Sequence, residues 1–381
     1  MIFRLLEDRF AQQASAVKAA DRRYMQLALT LGRRGLGQTW PNPSVGAVVV
    51  KDGVIVGRGW TASGGRPHAE PQALARAGEQ ARGATLYVTL EPCSHQGKSP
   101  PCADAIIAAG VRRVVSAMED PNPEVKGQGH ARLRAAGIEV SVGLGEDIAR
   151  RDHVGHISRI ILGRPFVTLK LALSADEKIG AAGRRPVAIT GEKVRERVHL
   201  YRAESDAILV GVGTALADNP RLDCRLPGMA DRSPVRVILD RNLRLPPSGH
   251  LARTARQRPL WIFGDRAAEP AAATLLEAEG AHIIHVPQSV DGVDLHGVVR
   301  ELASRGITRL MVEGGARIAA SLLKADLVDE AWIYRSDTVI GDDGVAPLDD
   351  MPLTTLTRSP HFRLLASETL GVDRLMIYGR N

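Results

Sequence analysis

The residues best equipped for chemistry are His68, Glu70, Cys93 and Cys102. One imidazole nitrogen and two thiolate sulfurs form a donor set that holds a catalytic zinc and leaves its fourth position open for water. Glu70 follows His68 by two residues, so its carboxyl is the candidate proton carrier. Each piece alone has a plainer explanation. His-x-Glu is a common helix start, and two cysteines in a run of Pro, Ser, Gly and Lys can form a disulfide or an empty loop. A disulfide leaves His68 and Glu70 unexplained and sits badly in a chain with 3 cysteines.

Zinc-dependent nucleobase deaminases carry His-x-Glu followed by Pro-Cys-x-x-Cys, the glutamate acting as acid and base rather than as ligand. Both halves are present here, but eight residues separate Cys93 from Cys102. A loop of that length can double back and bring both thiolates to one metal. The elements around the motif must then do the placing. His68 and Cys102 are expected at helix starts and Cys93 at a strand end, all on one side of a sheet, and helix N-termini favour the thiolates a metal needs.

Apolar spacing predicts a helix over 21–32, a strand over 47–50 and, across Asp52-Gly53, a hairpin return over 54–57. A helix over 70–77, strand 84–90, helix 102–109, strand 113–117, helix 131–136 and strand 138–142 follow, an α/β layout with a hairpin edge. Asn42, between Pro41 and Pro43, has an amide suited to a heterocycle edge, or simply caps a turn. A polar helix over 146–163 ends at Gly163-Arg164-Pro165; His153 and His156 share one of its faces and read as packing histidines.

Composition narrows the class. With 381 residues, 44% of them hydrophobic, the chain can bury two cores. It shows no membrane-length apolar run and no signal-like leader, and the expectation is a cytoplasmic protein. The formal charge of +7 comes from dispersed arginines, and aromatic content is 4%, without the basic aromatic stripe that binds nucleic acid. Cys224 reads as a bystander.

The run from Pro41 to Gly143 resembles the deaminase half of the bifunctional riboflavin-biosynthesis deaminase/reductase family, within the cytidine-deaminase-like superfamily. The resemblance rests on Pro41-Asn42-Pro43-x-Val45-Gly46, Pro67-His68-Ala69-Glu70, the whole of Thr89 to Cys102, and Asp120-Pro-Asn-Pro-x-Val-x-Gly127-x-Gly129. It implies that Asn42 contacts substrate. One departure stands out, since Thr61 occupies a place where the family often has His.

Beyond 165 the alternation restarts, with strands over 166–173, 207–211, 236–239, 260–263, 283–286 and 309–312, and helices over 193–203, 271–279, 293–305 and 316–324. Glu313-Gly314-Gly315 lies between a strand and a helix, where backbone N–H groups can meet an anion. Gly211-x-Gly213 lacks the third glycine and the strand-helix context of a dinucleotide fingerprint. Lys170-Leu-Ala-Leu-Ser174, Arg202-Ala203, the run Gly211 to Leu222 and Glu313-Gly314-Gly315 resemble the same family's reductase half, similar in fold to dihydrofolate reductase. The resemblance implies NADPH contacts at Leu173, Thr214, Asp218, Gly315, Ala316 and Arg317. It also implies substrate contacts at Arg202, Leu222, Arg225 and Glu313, the two arginines taking a phosphate bidentately. Glu177 and Ala188 stand where the family usually has Gly and Trp.

The expected organisation is an N-terminal extension over 1–20, a zinc-dependent pyrimidine deaminase domain over 21–145, a linker helix over 146–164 and a reductase domain over 165–381. The fold class is α/β, a cytidine-deaminase-like three-layer domain followed by a dihydrofolate-reductase-like one. The resemblance implies deamination of 2,5-diamino-6-(5-phosphoribosylamino)pyrimidin-4-one at one zinc per site, with Glu70 catalytic and His68, Cys93 and Cys102 as ligands. NADPH reduction of the ribosyl to a ribityl chain follows. The expected partners are this small phosphorylated pyrimidine and further copies of the chain, as dimer or tetramer, with neither nucleic acid nor membrane. Alternatives are a deaminase with a silent reductase half, a nucleic-acid base deaminase, and a structural zinc site with His95 as fourth ligand.

Overall fold

The computed structural model describes residues 19–96, 100–181, 183, 187–289 and 292–381. Most of the expected N-terminal extension and the Gly97-Lys98-Ser99 part of the cysteine insert lie outside the described residues. The chain divides into two compact units, Met1–Leu162 and Gly163–Asn381.

In the first unit, helix α1 (19–33) precedes the hairpin of β1 (Gly46–Lys51) and β2 (Val54–Trp60). Then come α2 (Ala69–Ala77), β3 (Thr85–Val88), α3 (Cys102–Ala108), β4 (Arg113–Ser116), α4 (Gln128–Ala135), β5 (Glu139–Val142), α5 (Glu146–Asp152) and α6 (Val154–Leu162). The sheet order is β2-β1-β3-β4-β5, with β1 antiparallel to both neighbours and β3, β4 and β5 parallel. Register explains the layering. Ala47, Val49, Gly57 and Gly59 share one face, and a Cβ at Gly57 or Gly59 would meet the carbonyl oxygens of Ala73 or Ala69 at 2.1 and 2.3 Å. These glycines let α2 lie directly on the hairpin. Gly46 faces the other way, 1.9 Å from the Ala28 oxygen by the same construction, so α1 covers the opposite face. The outcome is the expected three-layer domain.

The segment expected as one linker helix is two helices, broken at His153, and both belong to the first unit. Ile148, Ala149 and Ile157 pack into its core. The break turns His153 inward, where its Nε2 lies 3.3 Å from Thr89 Oγ1.

The second unit opens with β6 (Phe166–Leu173), α7 (Glu192–Ala203), β7 (Ala207–Gly211), α8 (Val212–Asp218), β8 (Val235–Leu239), α9 (His250–Arg253), β9 (Leu260–Gly264), α10 (Pro270–Ala278) and β10 (His282–His285). A ribbon of β11 (Gln288–Ser289) and β12 (Gly292–Val293) leads to α11 (Leu295–Ser304), β13 (Arg309–Glu313), α12 (Ala316–Lys324) and β14 (Glu330–Arg335). After α13 (Thr354–Thr357), β15 (Phe362–Leu370) and β16 (Asp373–Arg380) close the chain. Nine strands run in the order β10-β9-β8-β7-β13-β6-β14-β16-β15, parallel from β10 to β14. Strands such as β7 and β9 are buried along their whole length, as strands covered on both faces must be.

The structure corrects two points. Gly211-Val212-Gly213 does lie where a strand passes straight into a helix, β7 into α8, although the third glycine is still missing. The elements after α12 lie beyond the expected ones; β14 is buried along nearly its whole length, whereas β15 is exposed along its own.

Candidate functional site

Three short-range placements bring the metal donors together. His68 occupies the N-cap of α2 in an extended conformation. Its backbone is stapled by Gln72, whose Nε2 donates to the carbonyls of Trp60, Pro67 and His68. Cys102 is the first residue of α3, and its N–H points at Cys93 Sγ, 3.3 Å away. Ala103 N also donates to the Cys93 carbonyl at 3.1 Å, so the insert returns on itself. His68 Nδ1 lies 3.3 Å from Cys102 Sγ and 3.7 Å from Cys93 Sγ, and all three donor atoms fall within 4.8 Å of one another. Tetrahedral zinc with Zn–N and Zn–S bonds of about 2.0 and 2.3 Å sets its donors roughly 3.5–3.8 Å apart, so these residues fit that ion. His95 is exposed and outside the donor group, which leaves three protein donors among the described residues.

Electrostatics agrees with that assignment. The hydrogen bond with Cys102, and then His68, pull the Cys93 thiol down to about 4. The same bond and burial push Cys102 up. The sulfurs are so close that the first thiolate holds the second proton in place, a conflict a dication between them removes. Glu70, 3% exposed, is pushed up to about 7 by burial and then by Cys93. A carboxyl at that level can both accept and return a proton near neutral pH.

Asn42 Nδ2 donates to the Gly65 carbonyl at 2.8 Å, tying two loops beside His68. Thr61, at the expected histidine position, is buried and its Oγ1 accepts from Val45 N–H at 3.0 Å. Sequence reasoning missed the role of Glu91. Its buried carboxylate accepts from the backbone N–H groups of Asp120, Gly127, Gly129 and His130 at 2.8–3.2 Å, clamping that loop next to Cys93. A cleft lined by Cys93, His95, Asp120 and Gly129 opens there. Glu-Pro-Cys was the available signal, since a buried Glu before Pro needs donors and glycine-rich loops supply them.

In the second unit the polar groups collect near the carboxyl ends of β6, β7 and β13, where the sheet's connection order reverses and open parallel sheets place their sites. Arg202 Nε and a terminal nitrogen meet both oxygens of Glu313 at 2.6 and 2.7 Å, and its other nitrogen donates to the Asp223 carbonyl at 3.0 Å. Burial pushes the Glu313 carboxyl up, but Arg202 overrides it and holds the carboxyl below its usual range. Glu313 therefore engages the Arg202 fork that the sequence reading assigned to a phosphate. Lys170, opposite Glu313 in register, is pushed down by burial. Its ammonium lies 5.9 Å from the Tyr334 ring centroid. The sequence reading quoted Lys170 without giving it a role.

Thr214 Oγ1 lies 3.2 Å from where a Gly315 Cβ would be, and both Gly314 and Gly315 have positive φ, so any side chain there would close the turn in front of α12. Ala316 opens α12, and Arg317 is highly exposed near Asp349. Leu173 ends β6 and is buried. Asp218 ends α8, away from Gly315 in sequence, and burial raises its carboxyl. Leu222 is buried at φ 52°, and Arg225 pairs with Asp223 at 2.6 Å. Glu177 takes φ 60°, the left-handed conformation its glycine counterpart would adopt freely, and pairs with Arg335 at 2.7 Å. The turn thus survives the departure. Ala188 is exposed.

Residues 18–118 match the family described as cytidine and deoxycytidylate deaminase zinc-binding region, and residues 165–376 match the RibD C-terminal domain. The chain is 39% identical over 364 residues to the riboflavin biosynthesis protein RibD of Aquifex aeolicus, covering 96% of this chain and 99% of that protein. It is equally similar, 39% over 364 residues, to the RibD of Escherichia coli (93% and 97% covered). Among solved structures, Acinetobacter baumannii RibD superimposes with a TM-score of 0.84 at 35% identity, covering 96% and 99%. A diaminohydroxyphosphoribosylaminopyrimidine deaminase/5-amino-6-(5-phosphoribosylamino)uracil reductase from Thermotoga maritima gives 0.82 at 34%, with the same coverage.

Proposed function

The chain belongs to the RibD family of riboflavin biosynthesis proteins, deaminase and reductase in one chain, and from that premise we propose a role for each site residue. His68, Cys93 and Cys102 hold zinc, and Glu70 carries protons during deamination of 2,5-diamino-6-(5-phosphoribosylamino)pyrimidin-4-one. The observation that supports this most is the convergence of those three donors beside a buried carboxyl. Zinc on these donors supplies a Lewis acid that makes a water molecule acidic near neutral pH. Glu70 takes the proton of the attacking water, passes it to the ring nitrogen, and assists the departing ammonia. Glu91 holds the 120–130 loop against the site, and Asn42 braces the loop ahead of His68 while presenting its amide oxygen to the heterocycle.

In the second unit NADPH supplies the hydride that converts the ring-opened ribosyl group to ribityl. Thr214 and Gly315, with Leu173, Asp218, Ala316 and Arg317, bound the cofactor groove. Lys170, whose ammonium burial makes more acidic, delivers the accompanying proton. Glu313 keeps that lysine and Arg202 in place, and Leu222 and Arg225 meet the phosphorylated substrate. A deaminase unit that includes the two helices up to Leu162 and a reductase unit from Gly163 follow this division of labour. No described helix is long and apolar enough to cross a membrane. A cytoplasmic enzyme of two or four copies, acting on a small phosphorylated pyrimidine and not on nucleic acid, is the setting we infer.

The test follows ammonia release and NADPH oxidation separately in one zinc-loaded sample given the diaminopyrimidinone. Both signals are expected. Ammonia alone would leave the second unit silent, and neither signal would redirect the search to another aminated heterocycle.

A further inference from the structure

Asp223 faces three arginines, and nothing in the reaction described so far requires it. Its side chain is 1% exposed. One oxygen accepts from Arg225 at 2.6 Å and the other from Arg221 at 3.1 Å, with Arg258 at 3.6 Å. Its backbone carbonyl accepts from Arg202 at 3.0 Å and lies 3.2 Å from His199 Nδ1. Leu222 at φ 52° makes the turn that buries the aspartate between two arginines of its own loop.

The arginines themselves are not buried. The side chains of Arg221, Arg225 and Arg258 are 51%, 46% and 24% exposed. Each guanidinium gives Asp223 one edge and keeps further N–H donors for a ligand. A single carboxylate facing three arginines leaves two positive charges in excess, which matches a phosphate monoester dianion. Burial, and then the neighbouring cations Arg202 and Arg225, hold His199 below its usual range.

We propose that Asp223 is a positioning residue that aims Arg221, Arg225 and Arg258 at the phosphate of the reductase substrate, adding Arg221 and Arg258 to the arginine already assigned there. The proposal rests on the reductase reading above. It makes a counter-intuitive prediction of sign. If Asp223 merely tempers positive charge, Asp223→Asn adds a net positive charge and tightens phosphate binding. If it orients the arginines, the same variant weakens binding despite the extra charge.

The experiment measures KM for the phosphorylated substrate, and the Ki of inorganic phosphate against it, by NADPH oxidation in the full-length zinc-loaded chain. Asp223→Asn is expected to raise both constants about tenfold, with kcat within about twofold and ammonia release by the same preparation unchanged. Constants that stay put or fall in the variant overturn the proposal. Should the variant lose its second unit, Arg221→Gln decides on a solvent-facing side chain, with a rise of about threefold expected in both constants and no change overturning the proposal. A wild-type chain that oxidises no NADPH removes the reductase reading together with this inference. Active wild type with unmoved phosphate inhibition in the variants removes the inference alone.

Discussion

In the first unit the reactive atoms are supplied by two helix starts and the loop after β3, and the donors His68, Cys93 and Cys102 meet within 4.8 Å. In the second, Lys170, Arg202 and Glu313 come from β6, α7 and β13, and meet only because β13 inserts between β6 and β7 in the sheet. One site is made of rare donor types at short spacing. The other is made of common charged residues whose neighbours are decided by strand order. The two should therefore fail differently, the first through loss of one chemical group and the second through loss of an arrangement.

Glu70→Gln tests the first half most severely. Proton transfer through a placed side chain contributes up to about ten-thousand-fold, so ammonia release should fall by about that factor, with zinc content retained and NADPH oxidation of the deaminated substrate unaffected. Stripping zinc with a chelator should reproduce the same split. Residual deamination near the wild-type rate in Glu70→Gln would remove the carboxyl from the mechanism.

Glu313→Gln probes the arrangement. It leaves Arg202, and Lys170 opposite it in register, without their shared counter-charge. Breaking a buried pair from one side costs about 3–5 kcal/mol. The second unit's unfolding midpoint should drop accordingly, while deamination by the intact chain continues. A full loss of ammonia release would mean the units do not stand independently.

Lys170→Met asks whether the cluster also does chemistry. NADPH oxidation should fall about a hundredfold at saturating substrate, with the melting profile of the second unit held by the isosteric methylene stem. An unchanged kcat would reduce Lys170 to a packing role beside Tyr334.

Legibility in sequence follows the same division. The grouping of His68, Cys93 and Cys102 and the hairpin could be read because His-x-Glu, Glu-Pro-Cys and Asp-Gly each act within a few residues, and β6, β7 and α12 start and stop where they were expected. The Arg202–Glu313 pair could not, because its partners are 111 residues apart and only the insertion of β13 makes them neighbours. Glu91 was hidden for a related reason, as its donors lie 29 to 39 residues further on, in the loop from Asp120 to His130. The split of the expected linker helix at His153 depends on Thr89, more than sixty residues earlier, as the 64-residue separation of that contact shows.

The smallest effect separates packing histidines from catalytic ones in the first unit. Both ring nitrogens of His156 on α6 are buried without hydrogen-bond partners among the described residues, and burial, then Arg159, push it down to about 4. The folded chain therefore keeps this ring neutral where the unfolded chain protonates it, near pH 6.5. Stability from the neutral ring is present above that pH and is lost as pH falls from about 6.5 towards 4, amounting to about 2 kcal/mol at about pH 5. His156→Leu should lose less of its unfolding midpoint than wild type between neutral pH and about pH 5. Metal release on acidification affects both chains alike, since both keep His68, Cys93 and Cys102, so the difference between them isolates one ring. Parallel midpoints across the pH range would show that His156 is solvated in the folded chain, and that the first unit's acid sensitivity resides in its metal donors alone.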